Sequence, residues 1–256
     1  MELQFPGSTE VGRLIVRAVT GNLKRVSLEL GGKSPNIVFQ DADLEVAISG
    51  SASAIFFNHG QCCCAGSRLY VDWTVFDRVV EGVAAKAKKI RVGPGLEPKT
   101  SMGTLVSKEQ LQRVCSFLEI GMSEGATALA GGKKLGDKGY FVEPTVLVNT
   151  KDNMRVVQEE IFGPVVTAIP FDNPEELLPR ANDTVYGLAA GIWTKDISKA
   201  HRLAAAMCAG TIWINCYNIF DAALPYGGYK QSGWGREMGK DALELYTQTK
   251  AVCARL

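Results

Sequence analysis

The sequence predicts an α/β fold, in which a mostly parallel sheet is flanked by helices. Short strand-forming segments alternate along the chain with segments whose apolar residues recur at helical spacing. Apolar residues make up 46% of the 256 residues and charged residues 21%, values typical of a globular protein. A disordered chain, a collagen and a coiled coil are therefore excluded.

The strands are predicted from local alternation or from short apolar runs between turn signals. They are expected at residues 25–30, 36–39, 69–71, 165–171, 191–194 and 211–215. Helical spacing predicts helices at residues 43–57, 75–89, 107–124 and 197–209, and an earlier one that ends at Thr20. Asp41 and Asp43 are the candidate N-caps of the helix 43–57. Residues 90–106 contain Gly-Pro-Gly and predict a long surface connection.

Charge and composition exclude several classes of function. Lys plus Arg is 28 and Asp plus Glu is 27, so no basic excess points to nucleic acid or to an anionic membrane. No apolar run approaches the ~18 residues of a membrane span, and the first residues do not resemble a secretory signal. Seven cysteines, three of them adjacent, argue against a disulfide framework and for a reducing cytoplasm. His59 and His201 are too few and too far apart for a usual zinc site.

A carboxylate stands at the end of an apolar strand in segment 26–35. Glu29 is closely followed by Gly31 and Gly32, and burial there would raise its pKa and make it a usable base near neutral pH. The alternative is an ordinary strand-end glutamate paired with Lys33 or Arg25. The segment by itself leaves both interpretations open.

Three adjacent cysteines, Cys62, Cys63 and Cys64, lie in a glycine-flanked turn after an apolar helix. A cysteine in such a turn can expose its sulfur and collect backbone N–H donors, which favour a thiolate and later an oxyanion. The alternative is a set of buried structural cysteines. A cysteine protease would need a histidine base, but His59 is only four residues from Cys63, and we expect it to be a structural or surface residue.

Two further segments could bind a nucleotide cofactor. Glu160 and Phe162 precede a Gly-Pro turn, where a carboxylate could hold ribose hydroxyls and the aromatic ring could stack on a flat ring. The alternative is an ordinary acidic helix end. Ser8 precedes a predicted helix whose N-terminus could bind a phosphate, and the alternative is a simple serine N-cap.

The order, the spacing and the amino-acid sequences of these segments together resemble the NAD(P)-dependent aldehyde dehydrogenase superfamily. Cys63 follows Glu29 by 34 positions, and Glu160 follows Cys63 by 97, as in that family. The likeness covers essentially the whole chain. It is carried by segments 30–35, 60–65, 140–145, 210–215 and 225–233.

The resemblance implies roles for the candidate residues. Cys63, the middle cysteine, would attack an aldehyde, its backbone N–H would bind the oxyanion, and Glu29 would activate the water that hydrolyses the thioester. Glu160 and Phe162 would position the nicotinamide end of NAD or NADP, and Ser8 would approach the pyrophosphate. No metal is implied.

The resemblance also implies a tunnel for a small-molecule aldehyde. The residues that would line it are Cys62, Cys64, Asn218, Phe220 and Tyr226. The loop 218–226 is most similar to that of phenylacetaldehyde dehydrogenase-type members, which makes an aromatic aldehyde a candidate substrate.

Family members extend further on the N-terminal side, so the resemblance implies a catalytic half. Residues 1–28 would be a remnant of the coenzyme-binding domain, residues 29–246 the catalytic domain, and residues 247–256 a strand for homo-oligomer formation. We expect incomplete cofactor binding and no aldehyde turnover from the 256 residues alone. The alternatives are weak esterase activity or a non-catalytic assembly role. The choice between NAD and NADP stays open, because the residues that contact the adenosine ribose lie outside this sequence.

Overall fold

A seven-stranded sheet is the centre of the fold in this computed structural model, which describes residues 2–256. The strands are β1 (Glu2–Pro6), β2 (Arg25–Glu29), β3 (Pro35–Val38), β4 (Arg68–Asp72), β5 (Thr127–Ala130), β6 (Thr145–Val148), β7 (Val165–Phe171), β8 (Tyr186–Gly187), β9 (Ala189–Trp193), β10 (Thr211–Ile214), β11 (Tyr229–Lys230) and β12 (Gly233–Trp234). The order across the large sheet is β10-β9-β3-β4-β7-β6-β5. Every pairing in it is parallel except that of β5 with β6, so the predicted fold class is confirmed.

Helices cover both faces of the large sheet. They are α1 (Thr9–Val19), α2 (Leu44–Phe56), α3 (Phe76–Lys89), α4 (Lys108–Ser123), α5 (Arg155–Gln158), α6 (Pro174–Asn182), α7 (Ile197–Ala206) and α8 (Asp241–Leu245). Val38 and Leu69 pack in one apolar cluster with α2 and α3, whereas Ile37 and Tyr70 pack in another with α4, α6 and α7. Neighbouring strand residues point to opposite faces because the side-chain period of a strand is two. Both faces are buried, as is usual for a parallel sheet.

The predicted strands and helices are found with small shifts at their ends. The strand at 165–171 is β7 without any shift. The helix predicted at 197–209 ends at Ala206 because Met207 is extended, with φ −73° and ψ 130°, and the Cys208 N–H donates to Asn182 Oδ1 at 2.8 Å. Residues 90–106 form the expected connection, with one isolated bridge between Val92 and Met102.

Of the two candidate N-caps of α2, Asp43 has this role. Its carboxylate accepts the Val46 N–H at 3.3 Å. Asp41 instead accepts the Thr194 hydroxyl and forms an ion pair with Lys199 at 3.4 Å, which holds the end of β3 next to the start of α7.

A second, three-stranded sheet contains the strand that ends at Glu29. In this sheet β2 pairs in parallel with β1 and antiparallel with β12, where Gly233 lies opposite Glu29. The sequence predicted one mostly parallel sheet and gave no sign that β2 belongs to a second one. Beyond Glu29 the Leu30 N–H donates to the Ser232 carbonyl at 2.9 Å, and the chain then enters β3 of the large sheet. Glu29 therefore lies at the junction of the two sheets.

The last ten residues, 247–256, are exposed and form neither helix nor strand in the single chain. Arg25 Nη1 donates to the Thr247 carbonyl at 3.2 Å and holds the start of this segment. A strand that pairs with another subunit needs a second chain, so the oligomerisation strand stays a prediction, as do the domain boundaries. Within residues 2–256 no helix combines the length and the apolar character needed to cross a bilayer.

Candidate active site

The cysteine loop begins with a chain reversal after α2. Asn58, His59 and Gly60 have positive φ angles of 48°, 62° and 66°. Glycine is needed at position 60, since a Cβ there would collide with the carbonyl of Gly163. The reversal turns the chain out of the buried helix and presents Gln61, Cys62 and Cys63 to a cleft.

Two side chains tie this loop to the segment before α4. His59 Nε2 accepts the Gly103 N–H at 2.7 Å, and Gln61 Oε1 accepts the Val106 N–H at 2.9 Å. The lone pair of His59 Nε2 is thus used by a backbone amide and is not free to deprotonate a thiol. His59 has the structural contact expected of it, and the geometry gives no Cys–His pair.

The three thiols lie close to one another. Cys62 Sγ is 3.5 Å from Cys64 Sγ, and Cys63 Sγ is 3.5 Å from Tyr226 Oη. Hydrogen bonds from Cys63 and Cys64 lower the pKa of Cys62, and the hydrogen bond with Cys62 is the main cause that raises the pKa of Cys63. Cys64 stays a thiol, because its hydrogen bonds to the other two raise its pKa and its sulfur faces Asn218 Oδ1 at 3.4 Å. Within the cluster these hydrogen bonds therefore favour a thiolate on Cys62 and oppose one on Cys63 and Cys64.

Glu29 is a buried carboxyl, with 7% of its surface exposed. Neither of its oxygens has a hydrogen-bond partner within residues 2–256, and no ion pair in that range joins it to Lys33 or Arg25. Burial, followed by the charges of Glu237 and Cys63, raises its pKa to about 8. A carboxyl with this pKa suits proton transfer near neutral pH.

Gly31 and Gly32 bring three segments together. A Cβ on Gly31 would collide with the Glu160 carboxylate, and a Cβ on Gly32 would collide with the Cys63 carbonyl oxygen. The Gly32 N–H also donates to Glu160 Oε1 at 3.0 Å. The loop after Glu29 therefore contacts both the cysteine loop and the predicted cofactor residue.

Glu160 and Phe162 lie in a short segment held by α4. Gln110 Nε2 donates to the carbonyls of Ile161 at 3.0 Å and Phe162 at 2.7 Å, and Arg113 donates to the Glu160 carbonyl. Burial raises the pKa of Glu160, although the Gly32 N–H opposes that shift. Phe162 has a positive φ of 59° at the following turn. The backbone of this segment is thus fixed by side chains that sequence reasoning did not single out.

A cleft of about 780 Å³ opens between these segments, a size that suits a small ligand. The predicted site residues that line it are Ser8, Glu29, Cys62, Cys63, Glu160, Phe162 and Tyr226. Ser8 also caps α1 by accepting the Val11 N–H at 3.3 Å, so both of its suggested roles fit its position. Cys64, Asn218 and Phe220 do not line this cleft.

A row of aromatic rings extends from Tyr226. The Phe220 ring packs edge-on against Tyr226 at 5.4 Å and against Trp213 at 5.5 Å, and Trp213 lies 4.6 Å from Tyr217. Phe220 remains half-exposed. Asn218 and Cys64 are not among the residues that line the cleft, so a direct contact of either with a substrate stays a prediction.

The structure adds residues that sequence reasoning missed. Glu237 lines the cleft and faces Glu29, and its backbone forms an antiparallel bridge with Tyr226. The buried Ser232 hydroxyl donates to the Gly31 carbonyl at 2.6 Å. Lys33 Nζ is fully buried without a hydrogen-bond partner in residues 2–256, and burial lowers its pKa to about 7. Lys33 and Ser232 lie in segments 30–35 and 225–233, which carry the family resemblance, and this signal could have identified them as site residues. No local sequence pattern identifies Glu237 as one.

Within the described part of the chain, no cluster of His, Cys, Asp and Glu side chains has the arrangement of a metal site. A thiol and a buried carboxyl without a hydrogen-bond partner lie in one cleft, an arrangement that makes it a candidate site for covalent catalysis through sulfur.

The comparisons identify the family. Residues 2–252 match the model of the Aldehyde dehydrogenase family, and the chain belongs to that family. It is 48% identical over 256 residues to human mitochondrial aldehyde dehydrogenase, covering 100% of this chain and 50% of the relative. It is 48% identical over 254 residues to betaine aldehyde dehydrogenase of Bacillus subtilis, covering 98% of this chain and 52% of the relative.

Solved structures show the same fold. An NAD+ complex of aldehyde dehydrogenase from Bacillus cereus superposes with a TM-score of 0.96 at 51% identity, covering 98% of this chain and 51% of that one. The chain thus spans about half the length of the relatives it matches.

Proposed function

We propose that this chain carries the catalytic site for the oxidation of an aldehyde to a carboxylic acid with NAD+ or NADP+. The observation that carries the proposal is the Glu29 carboxyl, buried without a partner in the cleft that also holds Cys63. An unpaired buried carboxyl costs stability, and such groups concentrate at functional sites.

The first step takes place on Cys63. Its thiolate sulfur bonds to the aldehyde carbon, and the carbonyl oxygen becomes the negatively charged oxygen of a thiohemiacetal. The Cys63 N–H has no acceptor within residues 2–256 and is free to donate to that oxygen. One such donor is typically worth ~3–4 kcal/mol in related sites.

The residues around the cleft fit a nicotinamide cofactor. The N-terminus of α1 at Ser8 opens on the cleft and suits the pyrophosphate, the Glu160 carboxylate suits ribose hydroxyls, and Phe162 suits a flat ring. Gly31 leaves the space that the Glu160 carboxylate occupies. When bound, the cofactor would accept a hydride from the carbon attached to Cys63, which leaves a thioester on the sulfur.

Glu29 completes the reaction. Its ionised form takes a proton from water while the water oxygen bonds to the thioester carbon, and the carbon–sulfur bond then breaks to release the acid. Glu237 stays beside Glu29 and opposes its ionisation, which keeps the pKa of Glu29 near the working pH.

We propose an aromatic aldehyde as the substrate class. The support is the row of aromatic rings from Tyr226 through Phe220 to Trp213, which pack edge to face. The aromatic ring of a substrate would pack against this row in the same way. The expected result is a higher kcat/KM for phenylacetaldehyde than for acetaldehyde, and a preference for acetaldehyde would contradict this proposal.

The test measures aldehyde-dependent absorbance of the reduced cofactor in the full-length protein that carries this chain. We expect turnover with NAD+ or NADP+, its loss in Cys63→Ala, and normal turnover in Cys208→Ala, which removes an exposed thiol elsewhere. Full activity of Cys63→Ala would overturn the proposal.

Weak ester hydrolysis by the 256 residues alone is a second candidate activity. It is favoured because the thiol, the free N–H and the carboxyl all lie in this chain, whereas the chain spans only half of its relatives. Hydrolysis of p-nitrophenyl acetate that is lost in Cys63→Ala would support it, and a rate equal to that of Cys63→Ala would exclude it. A chain without either activity would favour the assembly role.

We also propose that the protein works as a homo-oligomer in the cytoplasm, with residues 247–256 at the subunit contact. The support is that this segment is exposed and that all seven cysteines are free thiols. Light scattering of the chain with and without residues 247–256 tests the contact, and an unchanged mass would argue against it.

A further inference from the structure

We propose that the Tyr226 hydroxyl selects Cys63 as the reactive sulfur of the three adjacent cysteines by donating a hydrogen bond to it. The inference rests on the proposed function in one respect, namely that a cysteine of this loop is the nucleophile. It adds a reason for the choice among three chemically identical side chains.

The hydroxyl lies within hydrogen-bond distance of Cys63 Sγ, and Cys64 is close enough to contribute to the shift of its pKa. Tyr226 Oη lies 3.5 Å from Cys63 Sγ, within the usual reach of a hydrogen bond to sulfur. The tyrosine is buried, and burial raises its pKa well above the usual range, so the hydroxyl keeps its proton and acts as a donor. A donor stabilises the thiolate more than the thiol, because hydrogen bonds to charged acceptors are the stronger ones.

The ring is held in place before any substrate arrives. The Tyr226 N–H donates to the Glu237 carbonyl and the Glu237 N–H donates to the Tyr226 carbonyl, both at 2.7 Å. The ring also packs edge-on against Phe220 at 5.4 Å. The hydroxyl therefore needs no rearrangement to meet the charge on sulfur, which is the condition for effective electrostatic stabilisation.

The other two sulfurs have different surroundings. Cys64 Sγ faces the Asn218 Oδ1 acceptor at 3.4 Å, which favours its protonated form. Cys62 Sγ lies against Cys64 Sγ at 3.5 Å, and hydrogen bonds from Cys63 and Cys64 lower the pKa of Cys62, so Cys62 competes with Cys63 for the thiolate. Because of that competition, Cys63 needs a donor from outside the cluster to hold a thiolate, and Tyr226 supplies one.

The experiment compares labelling of two cysteines in the same molecule. The 256-residue chain is treated with limiting iodoacetamide at pH 7, and fragmentation mass spectrometry gives the ratio of label on Cys63 to label on Cys62. Tyr226→Phe removes the hydroxyl and keeps the ring on Phe220. We expect this variant to lower the ratio about tenfold, the size that a hydrogen bond to a charged group supports.

Tyr217→Phe is the matched control. It also removes a buried hydroxyl beside the loop, but that hydroxyl donates to the Cys64 carbonyl at 2.8 Å rather than to a thiol. We expect its labelling ratio to equal that of the parent. Thermal unfolding of both variants checks that each is folded at the labelling temperature.

Two results would overturn the inference: an unchanged ratio in Tyr226→Phe, or an equal drop in Tyr217→Phe. The assay contains neither aldehyde nor cofactor, so it is independent of the proposed oxidation. A lowered ratio in a protein that oxidises no aldehyde would refute the proposed function alone, and normal oxidation with an unchanged ratio would refute the role of Tyr226 alone.

Discussion

Glu29→Gln is expected to stop thioester hydrolysis without preventing its formation. Glutamine keeps the shape of the side chain but cannot take a proton from water, and a positioned general base contributes roughly 100- to 10,000-fold. With a pKa of about 8, about one tenth of Glu29 is ionised at pH 7 and about nine tenths at pH 9. The hydrolysis rate of the parent should therefore rise about tenfold over that interval and level off above it.

The assay is stopped-flow hydrolysis of p-nitrophenyl acetate by the 256-residue chain. Attack by Cys63 releases nitrophenolate in a burst, and the slower steady phase reports hydrolysis of the acetyl thioester. Glu29→Gln should keep the burst amplitude and lose both the steady phase and its rise with pH.

Equal loss of the burst and the steady phase in Glu29→Gln would refute this reasoning, because Glu29 would then be needed to form the thioester. A parent steady phase that stays flat between pH 7 and pH 9 would refute the assignment of the raised pKa to the base.

Two further predictions concern neighbours of Glu29 and Glu160. Glu237→Gln should move the midpoint of the steady-phase pH profile to lower pH, because the Glu237 charge is the second cause that raises the pKa of Glu29. The same ester assay measures this, and a midpoint that stays in place or rises would contradict it. Gly32→Ala should lower the free energy of unfolding by about 1–3 kcal/mol, because its Cβ would collide with the carbonyl oxygen of Cys63, a backbone atom. Urea unfolding measures this against Gly21→Ala, where a Cβ meets nothing within 4 Å and little change is expected.

Much of the candidate site could be predicted because its residues have local signals. Glu29 ends an alternating strand and precedes two glycines, and such a doublet indicates a close approach of the backbone to something else. The close approach exists, to Glu160 and to the Cys63 carbonyl. The large-sheet strands β3, β4, β7, β9 and β10 were predictable from short apolar runs between turn signals, whereas β5 and β6 were not predicted.

The rest depends on pairings that leave no periodic trace. The alternation of residues 25–30 is the same whichever sheet the strand joins, so its place beside β1 and β12 could not be foreseen. Glu237 follows Arg236 and reads as an ordinary surface charge, and only the bridge to Tyr226 brings it to Glu29. The division of charge among three adjacent thiols depends on angles and distances that a sequence does not contain.

The loop 218–226 and the glycine doublet differ in how much sequence change they can accept during evolution. Phe220 and Leu224 are 49% and 63% exposed in a loop that leads to Tyr226 of the cleft, so their replacement changes the surroundings of Tyr226 at little cost to folding. At Gly31 and Gly32 any side chain displaces Glu160 or the cysteine loop. If the proposed function holds, descendants of this protein can therefore diverge in the aldehydes they accept through residues 218–226, while the glycine doublet stays under purifying selection.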